Sequence, residues 1–186
     1  NSMPVRDLDA FGGGGSKAFR VFGNRGASGI DGIISTVAGI AAAGKEVGVD
    51  ATSGTQLPVV AVLGDVAFHH DMNGLLAAAK YRLNILFVVI NNDGGGIFHM
   101  LPIRDHEPEF TSHFAAPHGL NFAHAADMYG IPYRYLEEAS MVGEALDDLF
   151  SDTGPRILEI RSDRVKNVRR RKAVEKAVCQ AVVARL

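Results

Sequence analysis

One cysteine, Cys179, is too few for an internal disulfide, so the fold must hold without cross-links, and a reducing cytoplasm is the expected compartment. No apolar run approaches the roughly 18 residues that a spanning helix needs, and no signal peptide opens the chain, so no membrane span is expected. An excess of charge is missing too. Nineteen basic residues against 21 acidic ones leave a net charge of −2, which points to neither nucleic acid nor an acidic partner. There is no internal repeat. Gly12 to Gly15 is not a phosphate-binding P-loop, because Ser16-Lys17-Ala18 reverses the required order and no apolar strand precedes it. GGGGS reads instead as a flexible connection, native or engineered. What is present is 186 residues, 47% of them hydrophobic, enough for one ordinary domain (1–186) with a sizeable core. The chain starts on Asn-Ser-Met-Pro and is expected to be a piece of something longer.

The stretch from Val59 to Phe98 organises the rest. An apolar run from Val59 to Leu63 reads as a strand buried on both faces. It stops at Gly64-Asp65, passes into a helical segment whose Leu75, Leu76, Ala79 and Leu83 mark the buried face, and returns as a second apolar run, Ile85 to Ile90. Two buried parallel strands joined by a helix form a βαβ unit, whose crossover makes both strands end on one edge of the sheet. Open α/β sheets bind ligands at that edge. Asp65 and Asn92 should therefore project from adjacent or nearby carboxyl ends.

Their chemistry points to a hard cation. A carboxylate (Asp65), an amide oxygen (Asn92) and carbonyls turned inward by Gly94, Gly95 and Gly96 suit Mg²⁺, which keeps open positions for water and phosphate oxygens. The segment after Gly64 supplies N–H groups for a diphosphate. Either piece alone reads more simply as a strand end with a capping Asp or an Asn-Asp-Gly turn. Together they read as a Mg²⁺-diphosphate site.

The remaining elements follow in order. Residues 1 to 10 have too few apolar positions for a core strand and read as a loop. Phe19 to Phe22 reads as a short strand ending before Asn24-Arg25. A helix starts near Ser28 to Asp31 and carries Ile30, Ile33, Ile34, Val37 and Ile40, which places Arg25 beside a helix N-terminus where anions are favoured. Lys45 to Pro58 reads as a surface loop. His69 and His70 are adjacent on a helix, so at most one can face the site. Ile97, Phe98 and Leu101 form an apolar wall or anchor their loop in the core. Residues 103 to 118 show no periodicity and read as a lid or extended connection, and their three histidines have no metal-ligand spacing. Helices over 121–129 and 141–150, strands over 131–136 and 156–160, and a last helix over 165–185 complete the chain. The basic run Lys166 to Lys172 reads as a solvated face. The expected class is α/β, a parallel sheet with helices on both faces.

Gly64-Asp65-Val66, then 24 residues, then Asn91-Asn92 resembles the thiamine diphosphate motif of a GDG followed by an NN. Val66 stands where the third glycine is usual. The segments NRGASGIDG (24–32), GDVAFHHDMNGL (64–75) and NNDGGGIFHMLP (91–102) together resemble the 2-succinyl-5-enolpyruvyl-6-hydroxy-3-cyclohexene-1-carboxylate (SEPHCHC) synthase family of menaquinone and phylloquinone biosynthesis. That resemblance implies the diphosphate-binding domain of a longer three-domain enzyme using thiamine diphosphate and Mg²⁺ (or Mn²⁺). It implies Asp65, Asn92 and the Gly94 carbonyl as metal ligands, and Ile30, Gly64, Val66, Ala67, Ile97 and Phe98 around the cofactor, with Ile30 as its wedge. Ser2, Arg6 and Arg25, with Phe98 and Leu101, would meet substrate. The substrates implied are 2-oxoglutarate and isochorismate. A pyrimidine domain from another subunit of a homodimer or homotetramer would supply the activating glutamate, which none of Glu107, Glu109, Glu137 and Glu138 matches. The chain by itself is then expected to be inactive. Two alternatives stand beside this reading: another thiamine diphosphate-dependent 2-oxo acid decarboxylase or carboligase, and a non-catalytic cofactor-binding module.

Overall fold

The computed structural model describes residues 2–12, 20–24, 29–47 and 58–185. The expectations placed on Phe19, Arg25 and Ser28, on residues 13–16 and on most of the 45–58 loop fall outside them. The chain divides into two compact units, Asn1–Asn91 with Leu120–Arg161, and Asn92–Gly119 with Ser162–Leu186.

In the first unit, helices α1 (Met3–Phe11) and α2 (Ile33–Val47) precede strand β1 (Val59–Gly64). Helices α3 (Asp65–His70) and α4 (Leu75–Lys80) cross to β2 (Ile85–Asn91). Helix α5 (Ala123–Tyr129) leads to β3 (Tyr133–Leu136), and α6 (Val142–Ser151) leads to β4 (Arg156–Arg161). The sheet runs β1-β2-β4-β3 with every pairing parallel. Alternation along β2 explains the layers. Ile85, Phe87 and Val89 face one side, where Ile34, Ala38 and Ala41 of α2, Phe68 of α3, Leu75 and Ala78 of α4 and Ala126 of α5 cover them. Leu86 and Val88 face the other, against Ala145 and Leu149 of α6. The sheet thus carries helices on both faces, as a βαβ reading requires.

Several local expectations are corrected. Residues 3–11 form a helix, not a loop: Pro4 sits in the first turn, where its missing N–H costs nothing, and no residue of α1 is fully buried. Among the described residues of the expected strand at 19–22, Arg20, Val21 and Phe22 are irregular and exposed. Helix α2 begins at Ile33, later than expected, because Gly32 takes φ +66°, which α-helical backbone does not allow; α2 also runs on to Val47, into the span expected to be loop. Strand β1 is buried on one face only. It is an edge strand, and Val60 and Val62 are 44% and 50% exposed. Leu76 is 61% exposed; Ala78, not Leu76, joins Leu75 on the buried face.

The second unit holds 3₁₀ turns at Gly96–Met100 and Pro102–Asp105, a π-helical turn at Phe110–Ala115 and helix α7 (Arg164–Val183). Residues 103–118 are therefore turned and packed, not an extended connection. The organising groups are aromatic. Phe110 is buried and stacks with Phe114 at 6.5 Å, while His99 and Phe98 meet these two rings edge-on. Among the described residues nothing buries the apolar stripe of α7, and Val178 and Val182 stay more than half exposed.

Burial assigns the costs. Phe87→Ala, in the fully buried centre of β2, is expected to lower the free energy of unfolding by about 3–5 kcal/mol. Leu76→Ala should change it by less than about 0.5 kcal/mol. Urea denaturation of the two variants checks the contrast, and equal losses would overturn the packing scheme.

Candidate functional site

The pairing of β1 with β2 sets the carboxyl edge. Gly64 lies opposite Ile90, so Asp65 leaves β1 beside the point where β2 ends at Asn91, and Asn92 is the next residue in the chain. Gly64 is still extended, and Asp65 opens α3 with its side chain buried, accepting the Val66 N–H at 2.9 Å. Val66 is half-buried and Ala67 buried behind it. His69 and His70 are both exposed in the last turn of α3, so neither is directed inward.

The segment 64–75 interlocks with the first turn of α2. The buried Asp71 carboxylate accepts the Ser35 N–H at 2.8 Å and the Ser35 hydroxyl at 3.2 Å. Ser35 is in the first turn of α2, where N–H groups have no helical partner, so a carboxylate 36 positions away caps that helix. Gly74 makes the close approach possible: a Cβ there would stand 2.9 Å from Ser35 Oγ and 3.0 Å from Ile34 Cγ2. Asn24 donates to Thr36 Oγ1 at 3.2 Å, tying the preceding loop to the same turn. Half-buried Ile30 lies just before this turn, not within the helix. Arg25 falls outside the described residues. At the amino end, Arg6 is exposed and donates to the Ser2 carbonyl at 2.9 Å.

Beneath the end of β2 is a polar chain that sequence reasoning missed. Fully buried Asn91 donates from Nδ2 to Glu159 Oε1 at 2.7 Å, and Tyr133 donates its hydroxyl to Glu159 Oε2 at 2.8 Å. Burial, then the Glu159 carboxylate, pushes the Tyr133 hydroxyl well above its usual range, so it stays a donor. The available signal was a glutamate inside the apolar strand RILEI.

In the second unit, Asp93 takes φ +63° and Gly94 φ +127°. A side chain at Gly94 would run into the Ala115 carbonyl, and one at Gly96 would stand 2.5 Å from Asn92 Nδ2. These glycines therefore serve close approach as well as backbone conformation. The Gly94 carbonyl accepts the Gly96 N–H at 2.9 Å. The Asp93 carboxylate accepts the N–H groups of His118 (3.1 Å) and Gly119 (2.8 Å). Burial would raise its pKa, but those two bonds, with His118 and Arg164 nearby, outweigh it and hold the carboxyl below its usual range. Arg164, also missed from the sequence, donates to the carbonyls of Asn92 and Asp93. His99 is half-buried; burial first and the Arg164 charge second lower its pKa. Ile97 and Phe98 are half-buried, and Phe98 rests on Phe114 at 5.7 Å, anchoring the loop, whereas Leu101 is 48% exposed.

The model of the family described as thiamine pyrophosphate enzyme, C-terminal TPP binding domain, matches residues 30–160. The chain belongs to that family. Within it, this TPP-binding domain is 45% identical over 174 residues to the SEPHCHC synthase of Roseiflexus sp. (strain RS-1), covering 94% of this chain and 28% of that protein. It is also 45% identical over 177 residues to the SEPHCHC synthase of Roseiflexus castenholzii, covering 95% and 29%. The TPP-binding domain thus spans under a third of the length of these curated relatives. Benzoylformate decarboxylase from Polynucleobacter necessarius superposes with a TM-score of 0.58 at 22% identity, covering 70% of this chain and 23% of that one, a likeness of fold. Among the described residues no helix is long and apolar enough to cross a membrane.

Two measurements test the local scheme. Asp71→Ala strands the Ser35 donors and should cost about 1–3 kcal/mol in chemical denaturation; an unchanged midpoint would mean the α2 cap is idle. Asp163, the cap of α7, accepts the N–H groups of Val165 and Lys166 at 2.8 Å each. The Lys166 bond above all lowers its pKa, so its contribution is complete above the ordinary carboxylate range and lost as pH falls through its lower folded value. Asp163→Ala should therefore destabilise by about 1 kcal/mol at pH 7. The gap to the parent protein should close in melts below about pH 4.

Proposed function

We propose that this TPP-binding domain holds the Mg²⁺-diphosphate end of thiamine diphosphate within a SEPHCHC synthase. The supporting observation is 45% identity across 94% of the chain to a protein of that name, running through the segments that carry the carboxyl edge. The donor chemistry agrees: the Asp65 carboxylate, Asn92 amide oxygen and Gly94 carbonyl are all oxygens, the set a hard divalent ion takes. Thiamine diphosphate, when bound, supplies an electron sink for decarboxylating a 2-oxo acid.

The roles of the chain's own residues follow from their chemistry. Asp65, Asn92 and the Gly94 carbonyl ligate the ion. Gly64, Val66 and Ala67 let the backbone approach the diphosphate, and Ile30, Ile97 and Phe98 pack on the apolar parts of the cofactor. Arg25, Arg6 and Ser2 bind substrate carboxylates, for which a guanidinium fork is suited. Phe98 and Leu101 shape the substrate pocket. The substrates are 2-oxoglutarate and isochorismate, both dianions, and the product joins a succinyl unit to the cyclohexadiene ring by conjugate addition. The partner is a pyrimidine domain of another subunit in a cytoplasmic homodimer or homotetramer, which brings the activating glutamate.

The intact enzyme should consume 2-oxoglutarate only with isochorismate present, and turnover with a different 2-oxo acid alone would overturn the assignment. Arg25→Ala in that enzyme should raise KM for a substrate about tenfold or more while Mg²⁺ binding persists. Loss of Mg²⁺ binding instead would move Arg25 out of the substrate pocket.

A further inference from the structure

Arg164 is placed with unusual care for a residue in a basic, largely exposed helix. It opens α7 directly after the Asp163 cap, and its side chain is only 21% exposed, whereas Lys166, Arg169, Arg170 and Lys172 lie in solvent. One guanidinium nitrogen, Nη1, donates to two successive carbonyls, that of Asn92 at 3.2 Å and that of Asp93. The Asp93 carboxylate stands 3.9 Å from the same nitrogen. Asp93 is itself fixed at positive φ and tied through its side chain to the N–H groups of His118 and Gly119. The turn after β2 is therefore held from both sides, its backbone oxygens by Arg164 and its carboxylate by the 118–119 backbone.

We propose that Arg164 is a positioning residue for the metal-binding loop: by engaging the Asn92 and Asp93 carbonyls it withdraws them from the ion and leaves the Asn92 amide oxygen and the Gly94 carbonyl as the loop's ligands. This rests on the ligand assignment made under the proposed function. Two physical points carry it. A carbonyl polarised toward a guanidinium offers less electron density to a second cation, so the main-chain oxygens of Asn92 and Asp93 are committed before any ion arrives. A cation so near a divalent site would ordinarily repel it, and Asp93 supplies the opposite charge at contact distance. Arginine also stays charged at any working pH, and its planar group is more rigid than the compact ammonium that lysine carries on a flexible stem.

The test uses the intact enzyme and reads thiamine diphosphate binding by calorimetry as a function of Mg²⁺ concentration, apart from turnover. Arg164→Met should raise the Mg²⁺ concentration for half-maximal cofactor binding about tenfold, the lower end of what losing a residue that orients ligands costs. Arg164→Lys should give a smaller shift in the same direction. An Arg164→Met enzyme that is folded by circular dichroism and keeps its metal requirement within about twofold overturns the proposal. Should that variant fail to fold, Arg164→Lys decides by the same criterion. Asn92→Ala separates the two claims: an unaltered metal requirement there overturns the ligand assignment, and the proposal with it, by a route distinct from an unresponsive Arg164→Met.

Discussion

The in-register parallel pairing of β1 with β2 is the constraint on which the carboxyl edge depends. Parallel neighbours must be joined by a crossover, and here α3 and α4 supply it, so Asp65 is compelled to start where one strand ends and Asn92 to follow where the next ends. The register is well specified because β2 is buried on both faces. A slip of one residue would carry Phe87 and Val89 to the α6 side and Leu86 and Val88 to the α2 side, exchanging two differently shaped layers. The point at which each strand ends is thus fixed by core packing along its length.

Packing alone does not hold the end of a strand, and the polar groups beneath it do the rest. Asn91, Glu159 and Tyr133 link β2, β4 and β3 through side chains at 2.7 and 2.8 Å. At the opposite edge, buried Arg156 donates to Asn84 Oδ1 and to the Gly154 carbonyl, joining β4 to the turn before β2. Buried polar groups are costly unless satisfied, and Nε and Nη2 of Arg156 find no hydrogen-bond partner among the described residues; the bonds that are made admit few other arrangements. Each one removes freedom from the strand that carries the edge.

What the sequence disclosed follows a physical division. Periodicity and glycine punctuation gave the four parallel strands, α5 with its stop at Gly130, α6 and the βαβ core, because those signals are local. That Asp65 and Asn92 each follow the end of one of two neighbouring parallel strands came from topology. The misses have a common cause. Val60, Val62 and Leu76 are apolar yet exposed, because whether a hydrophobic residue is buried depends on strand order and on which helix covers it, and β1 turned out to be an edge. Residues 103–118 looked irregular because π and 3₁₀ turns have no 3.6-residue stripe, though Phe110 and Phe114, four apart, were a readable hint. Of Ile97, Phe98 and Leu101, Phe98 rests on Phe114 and anchors its loop, while Leu101 is 48% exposed.

Arg164 and Glu159 escaped for a deeper reason. Each contacts a residue about 70 positions earlier, at Asn92–Asp93 and at Asn91. A lone arginine in a basic helix looks like solvated charge, and a lone glutamate in a strand looks like a pattern error; only the partner gives either a meaning. The motif residues Asn91 and Asn92 are adjacent and chemically identical, yet one amide is committed to Glu159 inside the core and the other leads a loop whose carbonyls are held by a guanidinium. Two neighbouring asparagines can play such different parts only because distant residues distinguish them. The motif alone therefore does not distinguish its two asparagines; Glu159 and Arg164, from the far end of the chain, do.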